Sequence, residues 1–317
     1  MKVKESLTRA VQLYFSSALL YGVGILLFRN VSYYQNVLLL VTQRTLLYIY
    51  LTYLVVAPII YIFRTTKYTT NKPYLILRYL INVFRKNKFK PNKEERVALL
   101  FILVKVFYLP LMINFFFNNF RNLLLADMNF YWYSFIFTLM FTIDTFIFAI
   151  GYTFEFRALK NVVKSVEPTL LGWVVAIVCY PPFNAMVGKY IPWGANDHVT
   201  FWNPTIDLIM KITIIFLLII YVWATIALGP KASNLTNRGI VTKFPYSVIR
   251  HPAYISKNLI WWLTLLPVIG WKFALGMLFW TIIYFLRAVT EERHLSQDPD
   301  YLEYKKKVKW RFIPKLY

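Results

Sequence analysis

The chain has 317 residues, of which 58% are hydrophobic and 19% aromatic, and it carries a formal net charge of +22. A soluble core does not need that much apolar surface, and several apolar runs approach or exceed the ~20 residues that cross a bilayer as a helix. These runs do not alternate apolar and polar residues, which excludes a membrane β-barrel. The composition therefore predicts an all-α, polytopic helical membrane protein.

The positive charge lies mainly in the segments between the apolar runs. In a soluble protein this charge would suggest nucleic acid as a partner, but loops held at the cytoplasmic face of a membrane carry the same excess of Lys and Arg. We therefore expect membrane lipids as partners and no nucleic acid. The single cysteine, Cys179, lies in an apolar run and excludes both an intrachain disulfide and a multi-cysteine metal site.

About eight membrane crossings are predicted from the apolar runs. Six are separate spans, and a bent double pass supplies the last two because Pro267 and Gly270 interrupt one long apolar block. The predicted segments are residues 11–28, 37–63 (mainly from residue 45), 97–117, 131–151, 169–188 with a Pro-Pro break, 205–228 and 259–286. We expect an N-terminal membrane region, 1–167, and a C-terminal catalytic region, 168–317.

The connection between the second and third spans, residues 65–96, is strongly basic. Its apolar stretch, 74–84, is short for a crossing and predicts either an interfacial amphipathic helix or a plain cytoplasmic loop helix. If this connection is cytoplasmic, alternation places both termini and the basic segments 152–167 and 229–258 on the same side. We therefore expect a multi-pass protein with both termini cytoplasmic, in a bacterial inner membrane or the endoplasmic reticulum.

Two charged residues fall inside predicted spans, Lys105 in the third and Asp144 in the fourth. Counting 1.5 Å per residue from the cytoplasmic ends places them ~13 Å and ~10 Å deep, respectively. An unpaired charge at membrane depth is costly. Similar depth on consecutive antiparallel helices therefore predicts a buried Lys105–Asp144 ion pair.

Polar residues bracket the double pass on both sides. The pattern Pro-Tyr-x-x-x-Arg-His-Pro-x-Tyr precedes it and includes Arg250 and His251. The pattern Arg-x-x-x-Glu-Glu-x-x-Leu follows it and includes Arg287, Glu291 and Glu292. If the double pass is a hairpin, the two polar groups meet at one face of the membrane.

These patterns, with a later Tyr-x-x-Tyr at 301–304, resemble the isoprenylcysteine carboxyl methyltransferases, and related phospholipid methyltransferases share the first pattern. The resemblance covers roughly the last quarter of the chain and implies an integral membrane enzyme that uses S-adenosylmethionine. It also implies that the C-terminal segment 308–314 folds back over the cofactor pocket. Phe244 and Ser256 depart from the family, which often has glycine at both positions.

The resemblance implies a set of site residues. Arg250 and Glu291 are the expected catalytic residues. The expected cofactor-binding residues are Tyr246, Arg250, His251, Pro252, Tyr254, Arg287, Glu291 and Glu292. Their chemistry suits the cofactor, because carboxylates bind an amine and ribose hydroxyls, arginine binds a carboxylate through two parallel hydrogen bonds, and aromatic rings stack on adenine.

Simpler interpretations of the same residues stay open. On a helix, Arg287, Glu291 and His294 share one face while Glu292 points elsewhere, and such a trio is also typical of a surface ion-pair ladder. The Arg-His-Pro run also fits a basic cluster ahead of a span. The combination of both groups around one double pass favours a functional site.

The acceptor of the methyl group is not predicted beyond its class. It is lipophilic and enters from the bilayer, and a prenylcysteine-like carboxylate, a lipid amine and a lipid phosphate all stay open. Two other functions are alternatives: an NADPH-dependent membrane enzyme similar to the sterol reductases, which carry a related Arg-His-x-x-Tyr pattern, and a non-enzymatic lipid-binding or transport protein.

Overall fold

A computed structural model describes residues 2–63, 70–86, 89–126 and 131–316. Within these ranges, helices make up almost all of the regular structure, which confirms the predicted all-α class. The helices are α1 (Lys2–Asn30), α2 (Ser32–Val37), α3 (Leu40–Phe63), α4 (Lys72–Lys86), α5 (Lys93–Leu125), α6 (Trp132–Thr153), α7 (Leu170–Ile177), α8 (Phe183–Gly188), α9 (Pro204–Leu228), α10 (Pro252–Leu265), α11 (Trp271–Leu295) and α12 (Pro299–Lys307). Residues 65–69 and 87–88 of the predicted basic connection lie outside the described residues.

Six helices of the described chain are long and apolar enough to cross a membrane: α1, α3, α5, α6, α9 and α11. A polytopic helical membrane protein is therefore the fold class. The count of about eight crossings is not matched by long helices, and the two differences lie in the predicted fifth span and in the double pass.

The predicted fifth span, 169–188, is not one helix. It forms α7, of 8 residues, and α8, of 6 residues, with a turn between them. Proline lacks the N–H that the helix ladder needs, and Pro181 and Pro182 stand together at this break, so the helix cannot continue through them. Neither piece reaches the length of a crossing.

The predicted double pass is a helical hairpin with unequal arms. Its first arm, α10, starts at Pro252 and has 14 residues, or ~21 Å at 1.5 Å per residue, which is shorter than the ~30 Å hydrocarbon core. A 3-10 turn, Leu266–Val268, follows, and Gly270 precedes the first residue of the 25-residue α11. The proline and the glycine therefore do break the apolar block, and the arm before them is the short one.

The chain divides into two compact units, Met1–Asn114 and Phe115–Tyr317. The boundary falls inside α5, which is one continuous helix, and so lies before the division at residue 167 that the sequence predicts. The functional division into a membrane region and a catalytic region stays a prediction.

In the first unit, α1 packs against α3 and α4. Asn114 is buried here, and its side-chain oxygen accepts hydrogen bonds from Leu39 N at 2.7 Å and Thr42 Oγ1 at 2.9 Å, which ties α5 to the start of α3. The predicted helix at 74–84 is α4, and its Leu75 and Ile76 pack with Ala98 of α5. The predicted position of α4 at the membrane interface stays a prediction.

In the second unit, α9 packs against both α6 and α10. The apolar core between them contains Phe137 of α6, Leu218 and Val222 of α9, and Ile260 of α10. This three-helix arrangement holds the first arm of the hairpin, and with it the residues that precede the arm.

The two intramembrane charges have contacts within their own units, and the predicted ion pair between them stays a prediction. Asp144 is buried, and its two carboxylate oxygens accept hydrogen bonds from Tyr221 Oη at 2.9 Å and Thr225 Oγ1 at 2.6 Å, both on α9. The ammonium of Lys105 lies 5.7 Å from the ring centroid of Tyr21 and 5.6 Å from that of Phe101. Each carboxylate oxygen of Asp144 therefore has a hydroxyl donor on α9.

These contacts predict which pairs of residues are energetically coupled. Asp144→Asn and Tyr221→Phe are expected to show a coupling energy of about 1–2 kcal/mol in a double-mutant cycle, because they share one hydrogen bond to a carboxylate. Unfolding in detergent measures the cycle, and strictly additive losses for Asp144→Asn and Tyr221→Phe would contradict this assignment.

Candidate functional site

A buried carboxylate, Glu292, lies in the last turn of α11, with three basic side chains at hydrogen-bonding distance and a fourth, Lys305, whose Nζ lies 3.7 Å from Oε2. Its Oε1 accepts from Arg250 Nε at 2.8 Å and from Arg311 Nε at 3.1 Å, and it lies 3.1 Å from His251 Nε2. Its Oε2 accepts from Arg311 Nη2 at 3.1 Å and, over 3.4 Å, from Arg250 Nη2. We call Glu292, Arg250, His251 and Arg311 the Glu292 cluster.

The Glu292 cluster fixes the C-terminal segment beside the start of α10. Arg250 Nη1 donates to the carbonyl oxygens of Val308 at 2.9 Å and Lys309 at 2.6 Å. The backbone N–H of Arg250 donates to Trp310 O, and that of His251 to Arg311 O, each at 3.0 Å. The C-terminal segment therefore does fold back, as the resemblance implies, and it runs along residues 250–251.

Helix α12 lies between α11 and the C-terminal segment, and contacts on two sides hold it in place. Tyr304 Oη donates to Tyr246 O at 2.7 Å, and Tyr301, Tyr304 and the Tyr246 side chain pack in one apolar group. At its first turn, Asp298 accepts from Lys164 Nζ at 2.9 Å. Burial alone would raise the pKa of Asp298, but hydrogen bonds from Lys164 and two further donors outweigh it and hold that pKa below its ordinary value.

The neighbouring carboxylate, Glu291, is exposed and does not join the Glu292 cluster. Its Oε2 accepts from Tyr254 Oη at 2.7 Å. The Tyr254 ring stacks on the His251 ring, with centroids 5.3 Å apart and an interplanar angle of 14°. Tyr254 and His251 thus form an aromatic platform between the exposed carboxylate and the buried one.

The guanidinium of Arg287 lies under this platform and is buried. It is 5.1 Å from the ring centroids of both Tyr254 and Tyr284, and its Nη2 donates to Asn234 Oδ1 at 2.8 Å. Asn234 in turn donates hydrogen bonds to two other tyrosines. Its backbone N–H donates to Tyr152 Oη, and its Nδ2 donates to Tyr180 Oη. Sequence reasoning missed Asn234, whose only signal is a polar side chain in a loop.

The loop that carries Asn234 continues into a short strand next to α11. Ser165 and Val166 (β1) pair antiparallel with Asn237 and Thr236 (β2). Ser165 Oγ lies 2.8 Å from Nε2 of the buried His294. His294 therefore faces this strand pair, while Arg287 bonds Asn234 and Glu291 bonds Tyr254, so the predicted trio on one helix face does not form an ion-pair ladder.

The structure brings most of the expected residues together, in two groups. Arg250, His251 and Glu292 form the buried group, and Tyr254, Glu291 and Arg287 form the group around the aromatic platform. Pro252 is the first residue of α10, and Tyr246 reaches the site through its backbone and its packing with α12. Burial raises the pKa of Tyr246 well above its ordinary value, so it is a neutral phenol.

Arg250 uses most of its hydrogen-bond donors within the protein. Four of its five N–H groups point at Glu292 or at the carbonyls of residues 308 and 309. The two positions where the family often has glycine cause no backbone strain, since neither Phe244 nor Ser256 is among the described residues with positive φ. Ser256 lies inside α10, and its Oγ donates to Pro252 O at 2.7 Å.

Comparison with protein families agrees with the resemblance. The model of the phospholipid methyltransferase family matches residues 207–298. The match begins in α9, includes α10 and α11, and ends just before α12, so it contains all eight expected site residues. A comparison with curated proteins gives no match. The C-terminal part of this multi-pass membrane protein thus contains a region that is similar to a methyltransferase family.

Proposed function

We propose that this protein transfers a methyl group from S-adenosylmethionine to a lipophilic acceptor at the cytoplasmic face of a membrane. The observation that carries the proposal is the exposed Glu291 carboxylate, held by Tyr254 beside an aromatic platform, inside the domain that matches a methyltransferase family. The region 168–317 would then be the catalytic region, and both termini would be cytoplasmic.

The residues of the site fit the cofactor. Glu291 offers carboxylate oxygens to an amine or to ribose hydroxyls, and the Tyr254 ring, which stacks on the buried His251 ring, offers an apolar surface to adenine. Arg287 supports the Tyr254 ring from below. Arg250 and Glu292 hold the C-terminal segment, so we assign them to positioning, with Arg250 keeping one N–H for a ligand carboxylate.

The proposed methyl transfer requires little covalent chemistry from the protein itself. When bound, the cofactor supplies a methyl group on a positively charged sulfur. The protein must hold the acceptor atom in line with that methyl and exclude water. Glu291 and Tyr254 would hold the cofactor, which would supply its methyl group to an acceptor oxygen or nitrogen.

The NADPH-dependent alternative fits the site less well. The phosphates of NADPH call for several cationic side chains or backbone N–H donors without carboxylates facing them. Here Arg250 and Arg311 are both paired with Glu292, and the exposed group is a second carboxylate, Glu291. The lipid-binding alternative would require no cofactor at all.

Calorimetry on the purified protein tests the proposal. We expect binding of S-adenosylmethionine and S-adenosylhomocysteine at micromolar concentrations and no binding of NADPH. An isotherm with NADPH alone would overturn the proposal in favour of a reductase, and no heat with any of the three would favour a lipid-binding protein.

A further inference from the structure

A lysine on α10 lies outside the cofactor residues and faces the inside of the three-helix core. Lys257 comes three residues after Tyr254, so the two side chains share a helix face. Lys257 is half-buried. Its ammonium lies 5.2 Å from the ring centroid of Trp261, 5.5 Å from that of Tyr221 and 5.8 Å from that of Phe141. These rings come from α10, α9 and α6, so the amine sits where the three helices meet.

The three aromatic rings contact the Lys257 ammonium but do not accept ordinary hydrogen bonds from its N–H groups. An ammonium has three N–H donors. In the described part of the chain, the contacts of the Lys257 ammonium are with rings, and no oxygen atom accepts a hydrogen bond from it. Two carboxylates, Asp144 and Asp197, interact with Lys257 electrostatically but accept no hydrogen bond from it, and Asp144 already accepts from Tyr221 and Thr225. Unmade hydrogen bonds of a charged group away from water are costly.

Other lysines of the second unit show the usual arrangement. Lys211 donates to Asp207 at 2.7 Å, and Lys164 donates to Asp298 at 2.9 Å and to Asp300 at 3.2 Å. Lys257 differs from both because its surroundings are aromatic on three sides. An amine that is surrounded by aromatic rings and lies next to a predicted active site can use its N–H donors to bind an oxygen atom of a ligand.

We propose that Lys257 binds the anionic group of the lipophilic acceptor, a phosphate or a carboxylate, through its unmatched donors. This proposal rests on the proposed function and specifies its substrate class. Tyr254 and Glu291 mark the expected cofactor side, and Lys257 lies three residues, about 4.5 Å along the axis, further into the membrane. An acceptor that arrives from the bilayer therefore meets Lys257 before it meets the cofactor.

The chemistry of the amine suits this role. A phosphate or carboxylate next to it favours its protonated form and accepts charge-assisted hydrogen bonds. The rings of Trp261, Tyr221 and Phe141 exclude water from the contact, which strengthens it. Phospholipids and prenylated thiol acids both carry such an oxyanion beside long apolar tails, so the same amine would serve either source.

Matched lipid pairs test the proposal by native mass spectrometry of the delipidated protein. The first pair is dioleoyl phosphatidic acid and dioleoylglycerol, and the second is N-acetyl-S-farnesylcysteine and its methyl ester. In each pair the apolar tails are the same and only one member is an anion. We expect the wild-type protein to prefer the anionic member of at least one pair by about tenfold or more. The pair that shows the preference identifies the source of the anion.

The variants assign the preference to one amine. Lys257→Met and Lys257→Gln are expected to lose it, and Lys257→Arg is expected to keep it. Lys272→Met is the matched control, because Lys272 also lies over a ring, that of Trp271 at 5.5 Å, but is exposed. A wild-type protein without the preference, or a Lys257→Met or Lys257→Gln variant that retains it, would overturn the proposal.

A second measurement separates this proposal from the proposed function. S-adenosylhomocysteine binding by calorimetry is expected to change less than about twofold in Lys257→Met, since Lys257 lies outside the cofactor residues. If the wild-type protein shows the lipid preference but binds no S-adenosylhomocysteine, the methyltransferase proposal fails and the anion site stands. If the cofactor binds and the preference is absent, the reverse holds.

Discussion

Replacing Glu292 by glutamine is expected to lower the free energy of unfolding by about 3–5 kcal/mol and to release the C-terminal segment. Glu292 is the counter-ion of the two guanidinium groups of Arg250 and Arg311, and all three are at least largely buried. Glutamine has nearly the same shape but no charge. The variant therefore leaves two cations in a poorly solvated place without the carboxylate that pairs them.

Two measurements follow from this expectation. Denaturation in detergent measures the loss of stability, and brief trypsin digestion measures the release of segment 308–311, which the Glu292 cluster holds against residues 250–251 and which contains Lys309 and Arg311. Glu291→Gln is the control on the next residue, and because Glu291 is exposed its unfolding free energy is expected to stay within about 0.5 kcal/mol of the wild type. A Glu292→Gln variant as stable and as resistant to trypsin as the wild type would contradict the role of the cluster.

The two adjacent glutamates show how far the sequence alone leads. Helix periodicity places Glu291 and Glu292 about 100° apart around the axis, so the sequence correctly predicts that they point in different directions. It does not predict which one is buried. That depends on the return of residues 308–311 to Arg250, a contact between segments far apart in the chain, and nothing local to α11 encodes it.

The same limit applies to Arg250. Its residue type and its place before α10 suit a bidentate contact with a ligand carboxylate, and the sequence therefore suggests that role. In the folded chain a protein carboxylate, Glu292, and two backbone carbonyls take most of its donors. Residue chemistry identifies what Arg250 binds, an oxyanion, but only the fold determines whether that oxyanion comes from the ligand or from the protein.

The long helices were the easiest part to predict because a crossing needs a long apolar run. The sixth predicted span, 205–228, differs from α9 by one residue at its start. The failures come from proline. The apolar run 169–188 is long enough in composition, yet its Pro-Pro pair splits it, and hydropathy does not register a break in the hydrogen-bond ladder.

The Lys105–Asp144 pair stays a prediction, and the structure adds partners of Asp144 that the sequence alone did not indicate. The depth of a residue follows from counting along the helix, but the direction of its side chain depends on how the helix is rotated against its neighbours. Asp144 faces α9, where Tyr221 and Thr225 are one turn apart and each reaches one carboxylate oxygen. Two hydroxyl groups at that spacing are a signal that the sequence does contain, once α6 and α9 are known to pack together.

Replacing Glu291 by glutamine is expected to weaken binding of S-adenosylmethionine by about 1.5–3 kcal/mol, or roughly 10- to 150-fold, while the protein stays as stable as the wild type. Glu291 is exposed, and its hydrogen bond from Tyr254 fixes one oxygen and leaves the carboxylate free to accept from a ligand amine or hydroxyl. Tyr254→Phe removes only that hydroxyl, so it is expected to have a smaller effect of the same sign.

The contrast between neighbouring glutamates makes the test specific. In Glu291→Gln, we expect calorimetry to detect weaker cofactor binding and denaturation to detect no change in the free energy of unfolding. In Glu292→Gln, we expect a loss of stability, and weaker cofactor binding only as a consequence of the released C-terminal segment. Since the glutamine amide keeps one oxygen acceptor, Glu291→Gln isolates the charge of the carboxylate from its shape. A Glu291→Gln variant that binds the cofactor as tightly as the wild type would remove Glu291 from the cofactor site, even if the wild-type protein binds it well.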